Sequence, residues 1–393
     1  RRVRPAAGGM GRCAGSAHLV LGTTHFLAVP QKGETMALID ITAVDRTVYN
    51  GRIRDFIPDS LIDVHTHVFP EAPPISGQVR TVTWPSRVAS CNPIEDLDET
   101  ARLLFPGKTY TPVIFGFPSD DLDLAAANRY VATAARQRKY PALMLAHPDM
   151  TAQGLEQQLK QNGFLGIKVY LTFAPRYIPA PEIRIFDFLT HEHLEVCDRL
   201  GLMVMLHIPR SKRIKDPVNL AQLLEIEKRY RNLQLVVAHV GRAYVNDDIG
   251  DALSILGKTK RMLFDISANT NDWVFEQLIR SVGSSRILYG SDLPIVRMRM
   301  RRIERDGHYV NLVPRGLYGD VSGDPNMAEL DPPESGQLSF FIYEEIDAFR
   351  EAAQRTGLTD SDVERVFRKN AQDMLTACGF AVPGESNGKQ EGR

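Results

Sequence analysis

Two histidines one residue apart, His65 and His67, close the fragment Leu61-Ile-Asp-Val-His-Thr-His. Side chains two apart on a strand point to the same face. Both imidazoles can therefore chelate one ion. Alone the pair is weak evidence, because two histidines satisfied by local hydrogen bonds would look the same. Three further residues change that weighting. His207 ends the run VMLH, His239 ends LVVAH, and Asp292 follows ILYGS. Each comes directly after an apolar run. Burying imidazoles and a carboxylate together is costly unless an ion or a hydrogen-bond network satisfies them. Such nitrogen and oxygen donors suit Zn2+, with Mn2+, Fe2+ or Ni2+ as alternatives.

These residues need elements that bring them to one place. From residue 61 the chain alternates short apolar runs with longer amphipathic stretches, the rhythm of repeated βα units around a parallel sheet. The runs are Leu61–His65, Pro112–Phe117, Ala142–Ala146, Gly166–Tyr170, Met203–His207, Leu235–His239, Met262–Ile266 and Ile287–Tyr289. Eight strands predict a distorted (β/α)8 (TIM) barrel, with a doubly wound open sheet as the alternative. Parallel barrel strands end on one rim, so the candidate ligands converge there. Long insertions follow the first strand (68–108) and the eighth (293–336), and two C-terminal helices close the chain.

DVHTH, GIKVY, MLHIP, AHVGR and YGSD, in this order and spacing, resemble the amidohydrolase superfamily, and within it the "amidohydrolase 2" branch, the aminocarboxymuconate semialdehyde decarboxylase-like group. The resemblance spans roughly residues 60–380. It implies His65, His67, His207 and Asp292 as metal ligands and His239 as a contact to substrate or to the ion's water. Binuclear members carry a carboxylated lysine on the fourth strand, where Lys168 stands. A mononuclear site would leave Lys168 to an ion pair at the rim or to a substrate carboxylate. We expect one ion. The chemistry that follows is hydrolysis of an amide or lactone, with Asp292 taking a proton from water and His239 polarising the carbonyl. A decarboxylase on an aromatic or enoic acid is the alternative, and a non-catalytic metal-binding barrel comes third.

Arg210 and Arg242, three residues after His207 and His239, are placed to recognise a substrate carboxylate; Arg297 and His147 are further candidates. The basic run Arg297, Arg299, Arg301, Arg302 and Arg305 reads mainly as a solvated helix face or a homo-oligomer contact. His191 and His193 read as solvated surface, because two positions on a helix diverge by about 200°. Phe69 and Trp84 read as loop packing. Bulk properties exclude other classes. Net charge is −1, which argues against nucleic acid as a partner, and no apolar run reaches the length of a membrane span. The four cysteines form no CxxC pair, which points to a reducing, cytoplasmic setting. The expected partner is a small-molecule substrate. We expect residues 1–35 to be a non-native or disordered extension, residues 36–380 the barrel, and residues 381–393 a disordered tail.

Overall fold

The computed structural model describes residues 38–70, 84–119 and 121–382. The expectations for residues 1–35 and for most of the tail therefore lie outside the described residues. Eight parallel strands carry the fold, one in each apolar run. They are β1 (Ser60–His67), β2 (Thr109–Phe115), β3 (Met144–Leu145), β4 (Gly166–Val169), β5 (Met203–Leu206), β6 (Gln234–Val237), β7 (Leu263–Asp265) and β8 (Ile287–Leu288). β1 pairs with β2, and β3 to β8 pair in chain order. The ladder is not continuous around the set. Single bridges, Ile114 with Ala142 and Thr66 with Leu293, link the two sheets. At the second seam Val64 N donates to Tyr289 O, but Tyr289 N donates to Val366 O of the C-terminal segment.

The strands read as unbroken apolar runs because both faces are covered. Ile62, Val64, Val113, Phe115, Met203, Met205, Val236 and Ala238 share one cluster with Ala371, Met374 and Leu375 of the last helix. Leu61, Ile114, Val204, Leu206, Leu235 and Val237 pack on the other side. Between strands run helices Leu124–Arg138, Ala152–Asn162, His191–Leu200, Pro217–Arg229, Ala252–Leu256 and Asp272–Val282. Asp123, Thr151, Thr190, Asp216 and Asn271 cap the longer ones through side-chain oxygens. Gly166 is required where β4 meets β5, since a Cβ there would fall 1.9 Å from Met203 O.

Both insertions contain regular structure. The first holds helices Trp84–Val88 and Ile94–Leu104. The second supplies β9 (Arg299–Arg305), β10 (His308–Pro314) and β11 (Met327–Leu330), and β12 (Ser339–Phe340), just beyond it, completes a four-stranded sheet in the order β11-β10-β9-β12. From Arg299 onward the basic run is therefore a strand and not a helix face, while Arg297 closes a short 3-10 turn. Its apolar members Met300 and Ile303 interrupt the arginines, and β9 pairs antiparallel with β10 from Arg305–His308 to Arg301–Leu312. The C-terminal helices run Phe341–Thr356 and Asp360–Ala377, the second with a π-helical turn at Arg365–Lys369.

Candidate metal centre

The register of β1 against β2 slips between Asp63 and Thr66. That irregularity lets Val64 sit in the inner cluster while His65, the next residue, also turns toward Phe115 of the same cluster, 5.2 Å between ring centres. Asp63 holds the slip in place. Its Oδ1 accepts from His65 N (2.9 Å) and Ser291 N (3.0 Å), and Tyr110 donates its hydroxyl to Oδ2. Burial pushes the Asp63 carboxyl up to about 7. One side chain thus couples the strand carrying the histidine pair to the segment carrying Asp292.

His65, His67 and Asp292 meet. His67 Nε2 lies 3.0 Å and His65 Nε2 3.4 Å from Asp292 Oδ1. The far side of each ring decides its tautomer. His67 Nδ1 is 3.0 Å from the Gly116 carbonyl, and His65 Nδ1 is 2.9 Å from Asp265 Oδ2. Both partners only accept, so each Nδ1 carries the proton and each Nε2 bears a lone pair. Two lone pairs then face a carboxylate oxygen in a buried site, an arrangement that a cation among them relieves. Two ligand atoms at about 2.1 Å from one tetrahedral ion stand about 3.4 Å apart, close to these separations. Burial, reinforced by the charge of Lys168, holds His65 neutral, and burial with the Arg242 charge does the same for His207. Neutral imidazole is the form that ligates. The donor set fits a divalent ion.

The other site residues cluster around this group. The His239 ring lies 4.8 Å from the His65 ring, tilted against it, and meets the His207 ring edge-on at 5.3 Å. Burial lowers its pKa, and its Nδ1 lies 3.1 Å from Ser267 O, which leaves Nε2 unprotonated. His207 stands one ring further out, 4.3 Å from Tyr170, with a buried Nδ1 that has no hydrogen-bond partner. Among the described residues the compact donor groups are His65, His67, Asp292 and His65, His239, Asp265; His207 belongs to neither. Lys168 Nζ lies 3.1 Å from His65 Nε2 and 5.0 Å from the Phe115 ring centre. Burial lowers the lysine to about 8 against the pull of Asp292 and Asp265.

Arg210 is engaged elsewhere, 2.9 Å from Asp216. Arg242 donates to the carbonyls of Ile208 and Arg210 and has no carboxylate partner among the described residues. Arg297 is buried and reaches Thr100, on the helix Ile94–Leu104. His147 lies away from the proposed substrate carboxylate. Its Nδ1 accepts from Asp149 N (3.3 Å), capping a turn, and its ring lines a cleft of about 300 Å3 with Phe173 and Arg176, set apart from the imidazole cluster. The reading of His193 as surface is wrong. It is buried, with Nε2 2.7 Å from Met150 O, because the helix His191–Leu200 turns that residue onto the strand layer while His191 stays half-exposed. Phe69 packs at a tilt against Phe117, 5.3 Å away, and Trp84 against Phe341, 6.4 Å away.

Asp265 and Ser267 escaped the sequence reading, although Asp265 lies within the seventh apolar run, Met-Leu-Phe-Asp-Ile. The signal was the one that marks His207, a polar residue in an apolar strand. Tyr244 is a second omission. It lies 6.5 Å from His239 and packs on Tyr309 of β10, which brings the late insertion to the edge of the cluster. Backbone strain marks the same place. His239, Val240 and Arg242 all have φ between 50° and 65°, a left-handed turn that a β-branched valine adopts only under constraint.

A family model described as amidohydrolase matches residues 62–376. The chain belongs to this amidohydrolase-2 family, whose members are metal-dependent enzymes and include hydrolases and decarboxylases. No curated protein matches the sequence significantly. Among solved structures it is similar to a probable 2-pyrone-4,6-dicarboxylic acid hydrolase from Acinetobacter baumannii with citric acid bound (16% identity, TM-score 0.49, 80% of this chain and 99% of that one). It is also similar to a dihydroxybenzoic acid decarboxylase from Polaromonas sp. JS666 with bound manganese and 2-nitroresorcinol (14%, 0.47, 81% and 97%). A 5-carboxyvanillate decarboxylase from Sphingomonas paucimobilis is a third (11%, 0.47, 81% and 99%). Likenesses this distant leave the reaction open.

Proposed function

We propose that this chain is a metal-dependent hydrolase that cleaves an amide or lactone of a small carboxylated substrate, with His65, His67, His207 and Asp292 as ligands of one Zn2+. The observation that carries the reading is the pair of imidazole lone pairs turned on Asp292 Oδ1. His207 joins as the outer ligand on the strength of its buried, partnerless Nδ1. We also read the eight strands as a distorted (β/α)8 barrel, supported by the bridges at both seams, so that the strand ends converge on the site.

Bound there, the ion would supply Lewis acidity, making water a better acid and a carbonyl a better electrophile. The chain's own residues do the rest. Asp292 would stay ionised beside a bound divalent ion, whose positive charge favours the carboxylate over the protonated acid. An ionised carboxylate can take a proton from an attacking water. His239 presents a bare Nε2, so in its resting tautomer it accepts a proton and then, once protonated, stabilises negative charge or donates to the leaving group. Arg242, beside His207 and without a carboxylate of its own, is the group we assign to the substrate's carboxylate. Arg210 is a weaker candidate because Asp216 already engages it.

Arg242 would equally hold a carboxylate that leaves as CO2, which makes decarboxylation the second reading. The deciding experiment incubates Zn2+-loaded protein with carboxylated lactones and amides, and separately with aromatic and enoic acids. Ring opening or amide cleavage is the expected result. CO2 release alone would move the chain to the lyases. Inertness in both screens with the ion retained would leave a metal-binding barrel without catalysis. We further propose a cytoplasmic setting, in keeping with Cys197 and Cys378, buried thiols pushed up to about 12. No helix among the described residues is long and apolar enough to cross a membrane.

A further inference from the structure

We infer that Asp265 is a positioning residue that sets, through one oxygen, which nitrogen of His65 carries the proton and, through the other, holds the backbone that carries His239. One oxygen, Oδ2, takes the proton side of His65 at 2.9 Å. The other, Oδ1, accepts from His239 N at 2.7 Å, from Ser267 N at 3.2 Å and from Ser267 Oγ at 2.5 Å. A hydroxyl has one proton. Ser267 gives it to the carboxylate, so toward His239 Nδ1, 2.9 Å away, its oxygen can only accept. His239 must then be protonated at Nδ1, a state the Ser267 carbonyl also favours at 3.1 Å. Both rings consequently turn a bare Nε2 toward the centre. The same Oδ1 restrains the strained backbone of His239 through its N–H.

The strands are shaped for this contact. Gly290 lies beside both partners, and a Cβ there would fall 2.9 Å from His65 Cβ and 3.3 Å from Asp265 Cβ. Among the described residues, Asp265 is the carboxylate within hydrogen-bond range of His65 Nδ1. Carboxylates behind ligating histidines typically account for 10- to 100-fold in metal affinity. The consequence for metal binding rests on the metal-dependent reading above; the tautomer assignment does not.

The test uses the full-length, metal-free protein labelled with 15N-histidine, with His65→Gln and His239→Gln to assign the two rings by NMR. The wild type is expected to show Nδ1–H and a bare Nε2 on both. Asp265→Asn places an amide N–H against His65 Nδ1, so that ring should switch to the Nε2–H tautomer and Zn2+ affinity should fall by about 10- to 100-fold. Ser267→Ala keeps the backbone carbonyl as acceptor and should leave His239 and Zn2+ affinity unchanged. A wild-type His65 protonated at Nε2 would overturn the inference, and this readout stands even if Asp265→Asn fails to fold. So would an Asp265→Asn protein with His65 and Zn2+ affinity unaltered. Wild-type protein with the expected tautomers and no affinity for Zn2+ would instead remove the metal reading and leave the positioning role.

Discussion

At the residue scale the site is a problem of protons. His67 has a carbonyl behind it and His65 a carboxylate, and both therefore face Asp292 with lone pairs. Removing a donor should remove the ion. His67→Ala and Asp292→Asn are each expected to abolish stoichiometric Zn2+ binding in a competition titration while the circular dichroism spectrum stays native. Full retention in both would be incompatible with the assigned ligands. Lys168 separates one ion from two. Its Nζ lies 3.1 Å from His65 Nε2, beside the proposed ion site. Lys168→Met should retain one Zn2+ per chain by metal analysis, and a fall from two to one would mark a bridging, carboxylated lysine instead. His65, His67 and Asp292 were legible in the sequence because they close or follow apolar runs, and Lys168 because of the family resemblance. Asp265 was not, since nothing in the run Met-Leu-Phe-Asp-Ile says that its carboxylate meets a histidine two hundred positions earlier.

At the element scale, the late insertion is where sequence pattern and structure part. Arginines dominate Arg297–Arg305 strongly enough to suggest a solvated helix, yet from Arg299 onward the segment pairs as a strand. One of them is structural. Arg299 grips Asp45 with two nitrogens at 2.8 and 2.7 Å, and Ser339 and Thr42 add hydrogen bonds to the same carboxylate. This ties the helix Ala43–Val48 to β9 and β12. Burial pushes the Asp45 carboxyl up, but Arg299, Thr42 and Ser339 more than offset that, so its folded pKa lies below the unfolded value. The stabilisation is thus fully present above about pH 3.9 and is lost as pH falls through the folded value. Breaking a buried pair costs about 3–5 kcal/mol. Asp45→Asn should lose about that much at pH 7 in urea unfolding, with the gap to wild type closing below pH 4. A gap independent of pH would contradict the ion pair as its origin. The β1 slip was equally hidden from the sequence, because strict alternation places Val64 and His65 on opposite faces.

For the whole molecule, the proposed ligands on β1, the end of β5 and the segment after β8 would make ion binding and folding one equilibrium. Zn2+ at 100 times its dissociation constant should stabilise the fold by about 2.7 kcal/mol. The melting temperature should therefore rise by a few degrees with Zn2+ and fall back with a chelator, and His67→Ala should show no response. An identical rise in His67→Ala would place the ion elsewhere. From the sequence alone came the eight strands, their parallel order, the two insertions and the convergence of His65, His67, His239 and Asp292. Those follow from local pattern, because an apolar run interrupted by one polar residue is visible without knowing its neighbours. Tertiary structure alone decided which ring nitrogens face the centre, that Asp216 engages Arg210 and leaves Arg242 without a carboxylate, that His207 stands outside the compact donor groups, and that Asp265 stands behind the His65 ring and holds the His239 backbone. Each depends on a partner far away in the chain, and hydrogen-bond direction is settled only when that partner arrives.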